Sequence, residues 1–177
     1  MTPAPIARLT DRRLLWQALA VLVGALAMAG ASRVAFDIGP APITLQTFAV
    51  FTLAGLMGGR LTLVSLLVWL AAAGLGAPVL AEGAGGMGAL TGASQGFLMG
   101  FLAAGPWTGF EAEKNSSFVT LLVVFLLGHV LVLAMGWVAL SNGLGWSRAW
   151  SGGVLPFLPG AVLKSLGAAV VVRAAAR

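Results

Sequence analysis

The sequence predicts an all-α integral membrane protein of six transmembrane helices with both termini in the cytoplasm. Of its 177 residues, 59% are hydrophobic and 8% are charged, whereas a soluble domain carries about 25% charged residues. Charged residues divide the chain into six apolar stretches, each long enough for the roughly 20 residues that cross a bilayer. The positive residues also lie mostly on one side of these stretches, as the positive-inside rule requires.

The composition excludes several kinds of site. The chain has no cysteine, so it can form neither disulfides nor thiolate metal sites. Its net charge of +5 comes from scattered lysines and arginines, which do not form the basic face that nucleic acid would require. We therefore expect a lipid membrane around the protein, and no nucleic acid partner, metal or cofactor.

The six predicted helices belong to one transmembrane domain that covers residues 1–177. Their approximate bounds are residues 14–35, 43–58, 61–76, 91–105, 117–140 and 157–173. The first helix resembles a cleaved signal peptide, but its apolar stretch is longer than the usual 7–15 residues of such a segment. Cleavage would also leave five spans and separate the arginine-rich ends of the chain.

Proline and glycine define the ends of the remaining helices. Pro42 delays the second helix, Gly58 ends it, and Pro78 closes the third. We expect the fourth helix to end before Pro106, because proline interrupts helical hydrogen bonding. The fifth ends at the Ser-Asn-Gly sequence of residues 141–143, and two prolines mark the start of the sixth.

The distribution of positive charge gives the orientation. An even number of crossings places both termini on one side, together with the second and fourth connections. That side carries seven positive residues: Arg8, Arg12, Arg13, Arg60, Lys114, Arg173 and Arg177. The opposite side carries Arg33 and Arg148. The positive-inside rule therefore places the termini in the cytoplasm and the third connection outside.

The third connection, residues 74–89, has the most unusual composition in the chain. It contains six glycines in 16 residues, is otherwise mostly apolar, and carries one charge, that of Glu82. Such a segment suggests backbone that folds back into a cavity lined by protein or water. An ordinary flexible outer loop is the alternative.

Lys164 is the charged residue placed deepest in a predicted helix. It follows Pro159 by five residues, which puts it roughly 7–8 Å into the sixth helix. Ionisable residues at such a depth are functional by default, although a lysine so near the helix end could also extend to the interface. A buried ammonium group beside a helix N-terminus attracts anions, so we expect a small carboxylate ligand.

Three other features of the predicted helices need interpretation. His129 lies within the fifth helix with no second histidine, so a hydrogen bond to a neighbouring helix is favoured over a metal site or proton relay. Trp69 lies deeper than the other tryptophans and is expected to line the pocket. Ala25 and Ala29 form a small face on the first helix, which serves either internal packing or docking of another membrane subunit.

One stretch matches an enzyme motif by its letters. Gly92-Ala-Ser-Gln-Gly96 fits the Gly-x-Ser-x-Gly elbow of serine hydrolases, but that elbow needs a preceding strand and an oriented histidine. A glycine-rich connection precedes it here, so we expect no enzyme activity. The chain also lacks a phosphate-binding loop, so any ATPase must be a separate chain.

Four segments of the chain match, in order, the signature motifs of one known family. Pro42-Ile-Thr-Leu-Gln46 is similar to its Pro-x-Thr-Leu-Gln signature, and Gly76-Ala-Pro-Val-Leu80 to its Gly-Leu-Pro-Val-Phe. The segment from Gly92 to Phe101 resembles Gly-Pro-Thr-Gly-Gly-Tyr-Leu-x-Gly-Phe. Pro156-Phe-Leu-Pro-Gly-Ala-Val-Leu-Lys164 resembles Pro-Phe-x-Pro-Gly-Asp-x-x-Lys. Through these four motifs the chain resembles the BioY family, the biotin-binding S components of energy-coupling factor importers.

The resemblance implies a multi-pass subunit of the inner (plasma) membrane that captures biotin from the external side. It implies that the face of Ala25 and Ala29 meets a transmembrane coupling subunit served by two ATPases, and that Lys164 contacts the ligand. Together with the loop and pocket arguments, it yields nine expected ligand-binding residues: Thr44, Gln46, Trp69, Glu82, Gly83, Ser94, Gln95, Phe97 and Lys164.

The sequence departs from the family pattern at the expected pocket. Ala161 stands where the family has an aspartate, and Phe97 replaces a tyrosine. Either Glu82 substitutes for the missing acid and biotin is retained, or the ligand is a related carboxylate such as lipoate or a biotin precursor. A purely structural membrane subunit is a further alternative, but it would leave Lys164 and the glycine-rich connection without a role.

Overall fold

The computed structural model describes residues 12–36 and 41–176, and helices make up most of them. In this part of the chain the α-helices are α1 (Arg12–Arg33), α2 (Gln46–Gly74), α3 (Met87–Leu90), α4 (Gln95–Lys114), α5 (Phe118–Leu144), α6 (Trp146–Gly153) and α7 (Leu158–Ala175). Short 3₁₀ turns occupy Ala81–Gly83 and Leu155–Phe157. Arg8 and Arg177, which the orientation argument uses, lie outside the described residues.

The lengths and surfaces of these helices are those of a membrane protein. Four described stretches are long and apolar enough to cross a bilayer, and they cover Arg12–Arg33, Gln46–Gly74, Phe118–Leu144 and Trp146–Ala175. Large apolar side chains project outward from them, with Leu26 71%, Val119 68% and Leu163 69% exposed. Lipid is the surrounding that makes such exposure favourable.

The helix α2 is broken at Gly58 into two arms, residues 46–57 and 59–74. Gly58 has φ 80° and ψ 172°, a conformation that glycine adopts without steric cost. Ser65 Oγ lies 3.7 Å from Met57 Sδ, whereas residues eight apart in a straight helix are separated by about 12 Å along its axis. The chain therefore reverses at Gly58, close to the expected boundary between the second and third helices.

The break in α2 packs tightly against α4. Glu113 Oε1 accepts a hydrogen bond of 2.9 Å from the amide of Gly59, which satisfies a donor that the second arm leaves open. A Cβ atom added at Gly109 would lie 2.6 Å from the Cα of Gly59, so the two backbones meet without room for a side chain. This contact anchors the reversal to α4.

Several expected helix boundaries were wrong. The helix α4 continues through Pro106 to Lys114 because Pro106 is buried in the contact with α2, where packing outweighs the lost hydrogen bond. The helix α5 continues to Leu144 and ends at Gly145, which has a positive φ of 77°. The short helix α6 was not expected at all.

One small β-sheet was not predicted, because the sequence indicated an all-α fold. The strands β1 (Ala35–Phe36) and β2 (Ile43–Thr44) pair antiparallel in the connection between α1 and α2. The pairing places Thr44 and the start of α2 directly beside the end of α1. This junction forms one wall of the cavity described next.

Candidate functional site

A cavity of about 190 Å³ lies at the end of the helices where α2, α4 and α7 begin. Its apolar wall comes from α4, α5, α7 and the glycine-rich connection, with Phe97, Leu98, Phe101, Val132, Leu133, Phe157 and Ala161 among the lining residues. Its polar lining consists of Thr44, Gln46, Thr47, Glu82, Ser94, His129 and Lys164. A mostly apolar cavity with a few convergent polar groups is the usual form of a small-molecule site.

Lys164 is the cation of this cavity. Its Nζ atom donates to the backbone oxygen of Thr44 at 2.6 Å and to Oγ1 of Thr47 at 3.4 Å. No carboxylate pairs with it among the described residues, and Ala161, one turn earlier, contributes only a methyl group to the lining. An ammonium group carries three donors, so Lys164 retains capacity for an anionic ligand.

A chain of hydrogen bonds holds the first turn of α2 in place. Thr44 Oγ1 donates to Gln46 Oε1 at 2.8 Å, and Gln46 Nε2 donates to Ser32 Oγ at 2.8 Å. Ser32 in turn donates to the backbone oxygen of Met28 at 2.7 Å. The amide of Gln46 is therefore engaged at both ends, and its role here is to position Thr44, whose carbonyl oxygen holds Lys164.

The glycine-rich third connection, residues 74–89, is held over the cavity by hydrogen bonds that its backbone oxygens accept. Arg33 Nη2 donates to the oxygen of Pro78 at 2.7 Å, and Trp69 Nε1 donates to that of Val79 at 2.9 Å. Leu80 is 5% exposed and lines the cavity. Glu82 follows with a left-handed φ of 58°, a strained conformation for a residue other than glycine, and such strain often marks functional positions.

Six of the nine expected ligand-binding residues line this cavity: Thr44, Gln46, Glu82, Ser94, Phe97 and Lys164. The other three do not. Trp69 is 1% exposed and lies behind the wall, where its ring packs 6.4 Å from that of Phe101. Gln95 is exposed at the start of α4, and Gly83 adjoins Arg33, whose Nη1 would lie 3.1 Å from an added Cβ atom.

The cavity also contains residues that the sequence argument left out. The ring of Phe157 stacks on that of Phe97, with 5.5 Å between the ring centres, and His129 also lines the cavity. Phe157 belongs to the motif that ends in Lys164, so its position was a usable signal. The expected hydrogen bond from His129 to a neighbouring helix is confirmed, since its Nδ1 atom lies 2.8 Å from Ser165 Oγ of α7. Its place at the cavity had no such signal, because α5 and α7 are far apart along the chain.

Two further sequence patterns take definite places in the fold. Ala25 and Ala29 are half-buried and pack against the core, as the internal-packing alternative requires, while the outward face of α1 carries Leu22 and Leu26. Ser94 of the hydrolase-like pattern immediately precedes α4 and follows the short helix α3. It therefore lacks the strand–turn–helix setting of a nucleophile elbow.

Comparisons with known proteins agree with this architecture. The model of the BioY family matches residues 6–177 of the chain. The chain is 32% identical to the biotin transporter BioY2 of Lactococcus lactis subsp. cremoris over 151 residues, which covers 82% of each protein. It is 31% identical over 153 residues to a probable biotin transporter BioY of Pyrococcus horikoshii, covering 86% of this chain and 91% of that protein.

The fold also resembles a solved structure. The crystal structure of an S-component for biotin from an ECF-type ABC transporter superposes with a TM-score of 0.83 and 27% sequence identity. The match covers 93% of both chains. The overall fold is thus shared with a protein described as the S-component for biotin of such a transporter.

Proposed function

We propose, since the chain belongs to the BioY family, that it is the substrate-capturing subunit of a membrane importer. The proposed substrate is biotin. Binding and presentation of the vitamin, with no catalytic step, are the whole of its proposed activity. Two curated relatives at 31% and 32% identity are named for biotin transport. The single observation that carries the proposal is Lys164, a cation that lines a mostly apolar cavity and has no carboxylate partner among the described residues.

The chemistry of the cavity suits biotin. Biotin has a carboxylate on an aliphatic tail, and a fused ring system with two ureido N–H donors and a sulfur atom. Lys164 provides a cation without a carboxylate partner in the described part of the chain, and the stacked Phe97 and Phe157 provide an apolar surface. We place the carboxylate on Lys164 and the ring system against the aromatic wall.

Glu82 is the proposed acceptor for the ureido donors. Within the described ranges it is the one carboxylate that lines the cavity, and it makes no ion pair with Lys164 there. Glu82 is therefore not neutralised by Lys164, and Lys164 keeps one of its three donors for the ligand. In this arrangement Glu82 takes over the acidic role that the family pattern gives to the position of Ala161.

The proposed topology has six crossings, with each arm of α2 counted as one. This places the cavity near the outer face of the plasma membrane and both termini in the cytoplasm. The side of the molecule opposite the cavity carries Arg60 and Lys114, in keeping with the positive-inside rule. Biotin would then enter from outside, past the glycine-rich connection.

Uptake requires partners that this chain does not contain. We propose a transmembrane coupling subunit that contacts α1 at Ala25 and Ala29, and ATPase subunits on other chains. The ECF-type transporter named for the similar structure supports such an assembly. A purely structural role is less favourable, because the charge of Lys164 would then have only neutral oxygens as partners among the described residues.

Calorimetric titration of the purified full-length protein in detergent tests the proposed substrate. Biotin, dethiobiotin and lipoate are compared, and biotin methyl ester serves as the neutral control for the carboxylate. We expect biotin to bind most tightly and the ester at least tenfold more weakly, the effect of one charged hydrogen bond. If lipoate or dethiobiotin bound more tightly than biotin, that compound would be the substrate instead. If none of the three bound, the importer role would be refuted.

A further inference from the structure

The ring of Phe97 packs directly against a glycine of α5. Phe97 is 7% exposed and lines the cavity, and its ring contacts Gly136. A Cβ atom added at Gly136 would lie no more than 2.5 Å from three adjacent carbons of that ring, Cδ1, Cε1 and Cζ. Carbon atoms in contact are normally about 3.5–4.0 Å apart. The ring of Phe97 can therefore occupy its place because residue 136 has no side chain.

The helices α4 and α5 are in close contact on both sides of Phe97. A Cβ atom added at Gly96 would lie 2.5 Å from the backbone oxygen of Met135, and one added at Gly100 would lie 2.9 Å from a Cα atom of the same helix. Small residues permit such a close approach of helices in a membrane. Phe97 thus lies between two points of backbone contact, and Gly136 provides the space for its ring.

A ring displaced from α5 would move toward the cavity. Phe97 lines the cavity whereas Gly136 does not, so the open space beside the ring is the cavity itself. A side chain in a helix has few allowed rotamers, which prevents the ring from turning far aside. The ring also stacks on that of Phe157, which lines the same cavity. A shift of Phe97 would therefore narrow a cavity of about 190 Å³ at its aromatic wall.

We propose that Gly136 is a positioning residue that sets how far the ring of Phe97 reaches into the cavity, and thereby how large a ring system the ligand can have. The inference rests on the proposed function and deepens it, because it assigns selection by ring size to a residue outside the cavity lining. With glycine at this position, the wall leaves room for the two fused rings of biotin. A larger residue would favour carboxylates with a smaller ring system.

The variant Gly136→Ala tests this role with two ligands that differ in ring size. Dethiobiotin has the same ureido group and the same aliphatic carboxylate as biotin, but it has one ring where biotin has two. We expect biotin affinity to fall about tenfold, since one extra carbon in an apolar pocket changes affinity roughly 10–200-fold. Dethiobiotin affinity should fall less than about threefold, because the smaller ligand can avoid the displaced ring. Calorimetric titration of the full-length protein in detergent measures both affinities.

Two further variants show whether the effect acts through Phe97. In a Phe97→Ala background the added methyl group meets no ring, so Gly136→Ala should change biotin affinity by less than about twofold. Gly55→Ala is the control for crowding elsewhere in the core. Its Cβ atom would lie 2.5 Å from Cγ2 of Val172, and neither residue lines the cavity. It should lower the melting temperature but leave the ratio of biotin to dethiobiotin affinity unchanged.

The variant Phe97→Trp keeps the inference testable if Gly136→Ala does not fold. It enlarges the ring at residue 97 without a change in α5, and the close contact with Gly136 leaves the larger ring no space on that side. Biotin should again lose more affinity than dethiobiotin. Size-exclusion profiles and melting temperatures establish which variants are folded.

The outcomes separate this inference from the proposed function. Tight biotin binding by wild type, combined with an unchanged affinity ratio in folded Gly136→Ala, or in Phe97→Trp where that variant replaces it, would overturn the role of Gly136 alone. A loss that persists in full in the Phe97→Ala background would do the same. If wild type binds dethiobiotin more tightly than biotin, the biotin assignment fails, and the change in the ratio still decides the role of Gly136. If no carboxylate binds, both proposals fail.

Discussion

The ammonium group of Lys164 donates a hydrogen bond of 2.6 Å to the backbone oxygen of Thr44, although the two residues lie 120 positions apart in the chain. The contact joins the start of α7 to the junction between β2 and α2. It positions the amine at the cavity without neutralising it, because a carbonyl oxygen carries no full charge. The anion that balances Lys164 can therefore be the ligand.

Removal of that amine should weaken binding of carboxylate ligands selectively. We expect Lys164→Met, which keeps most of the aliphatic side chain, to reduce biotin affinity at least tenfold, the scale of one charged hydrogen bond. Binding of biotin methyl ester should change little. Calorimetric titration measures both, and an equal loss for acid and ester would mean that Lys164 acts through packing and not through charge.

Substitution of Glu82 should affect stability and binding in opposite directions. Its φ of 58° is strained for most residues but not for glycine, so Glu82→Gly should stabilise the fold by about 1 kcal/mol. The same change removes the proposed ureido acceptor and should lower biotin affinity about tenfold. Glu82→Asn, which tolerates this backbone conformation, separates the loss of charge from the relief of strain.

Melting temperatures in detergent and calorimetric titrations provide the two measurements for Glu82. A stabilised Glu82→Gly variant with wild-type affinity would remove Glu82 from the ligand site while leaving the strain argument intact. Lower affinity for both Glu82→Gly and Glu82→Asn would support the acceptor role.

A side chain at the reversal of α2 should be poorly tolerated. In Gly58→Ala the new Cβ atom would collide with the carboxylate of Glu113, and the positive φ of Gly58 disfavours alanine in any case. We expect a loss of roughly 1–3 kcal/mol of stability, measured by thermal unfolding in detergent. Gly143→Ala is the matched control, because Gly143 lies in α5 with nothing near the added Cβ atom.

That control should be neutral or slightly stabilising, since alanine favours helix over glycine. If Gly58→Ala melted at the same temperature as Gly143→Ala, the backbone at Gly58 would not require glycine.

The role of the small face on α1 can be decided by comparing binding with uptake. We expect the double variant Ala25→Leu and Ala29→Leu to bind biotin normally but to import it poorly, because bulk there obstructs a coupling subunit. Val23→Leu, on the exposed side of the same helix, should affect neither property. Reduced biotin binding in the double variant would instead indicate that the two alanines serve packing within this chain.

The membrane class and the main candidate ligand contact could be predicted from the sequence because both depend on local composition. A long apolar stretch predicts a membrane span wherever it lies in the chain, and a charged residue inside one is unusual in any span. The lipid surroundings and the unusual position of Lys164 therefore follow from the residues alone. The break at Gly58 also has a local cause, since the pair Gly58-Gly59 disfavours helix. The glycine-rich composition of residues 74–89 similarly indicates irregular backbone.

Other features arise from contacts that no local pattern encodes. Trp69 looked like a lining residue because of its depth, but its indole nitrogen is used to hold Val79, which places its ring behind the wall. The helix α4 passes Pro106 because the packing against α2 offsets the missing hydrogen bond. His129 enters the cavity because Ser165, 36 residues away, fixes the orientation of its ring.

By itself, the sequence determined that this protein lies in a membrane, where its apolar stretches occur, and that a lysine within a predicted helix and a glycine-rich connection are its unusual features. Only the tertiary structure decided which side chains share the cavity, which stand behind it, and which polar atoms remain unpaired. The reason is physical. The free energy of transfer into lipid is a sum of contributions from individual residues, whereas a binding site depends on distances between helices that are far apart in the chain.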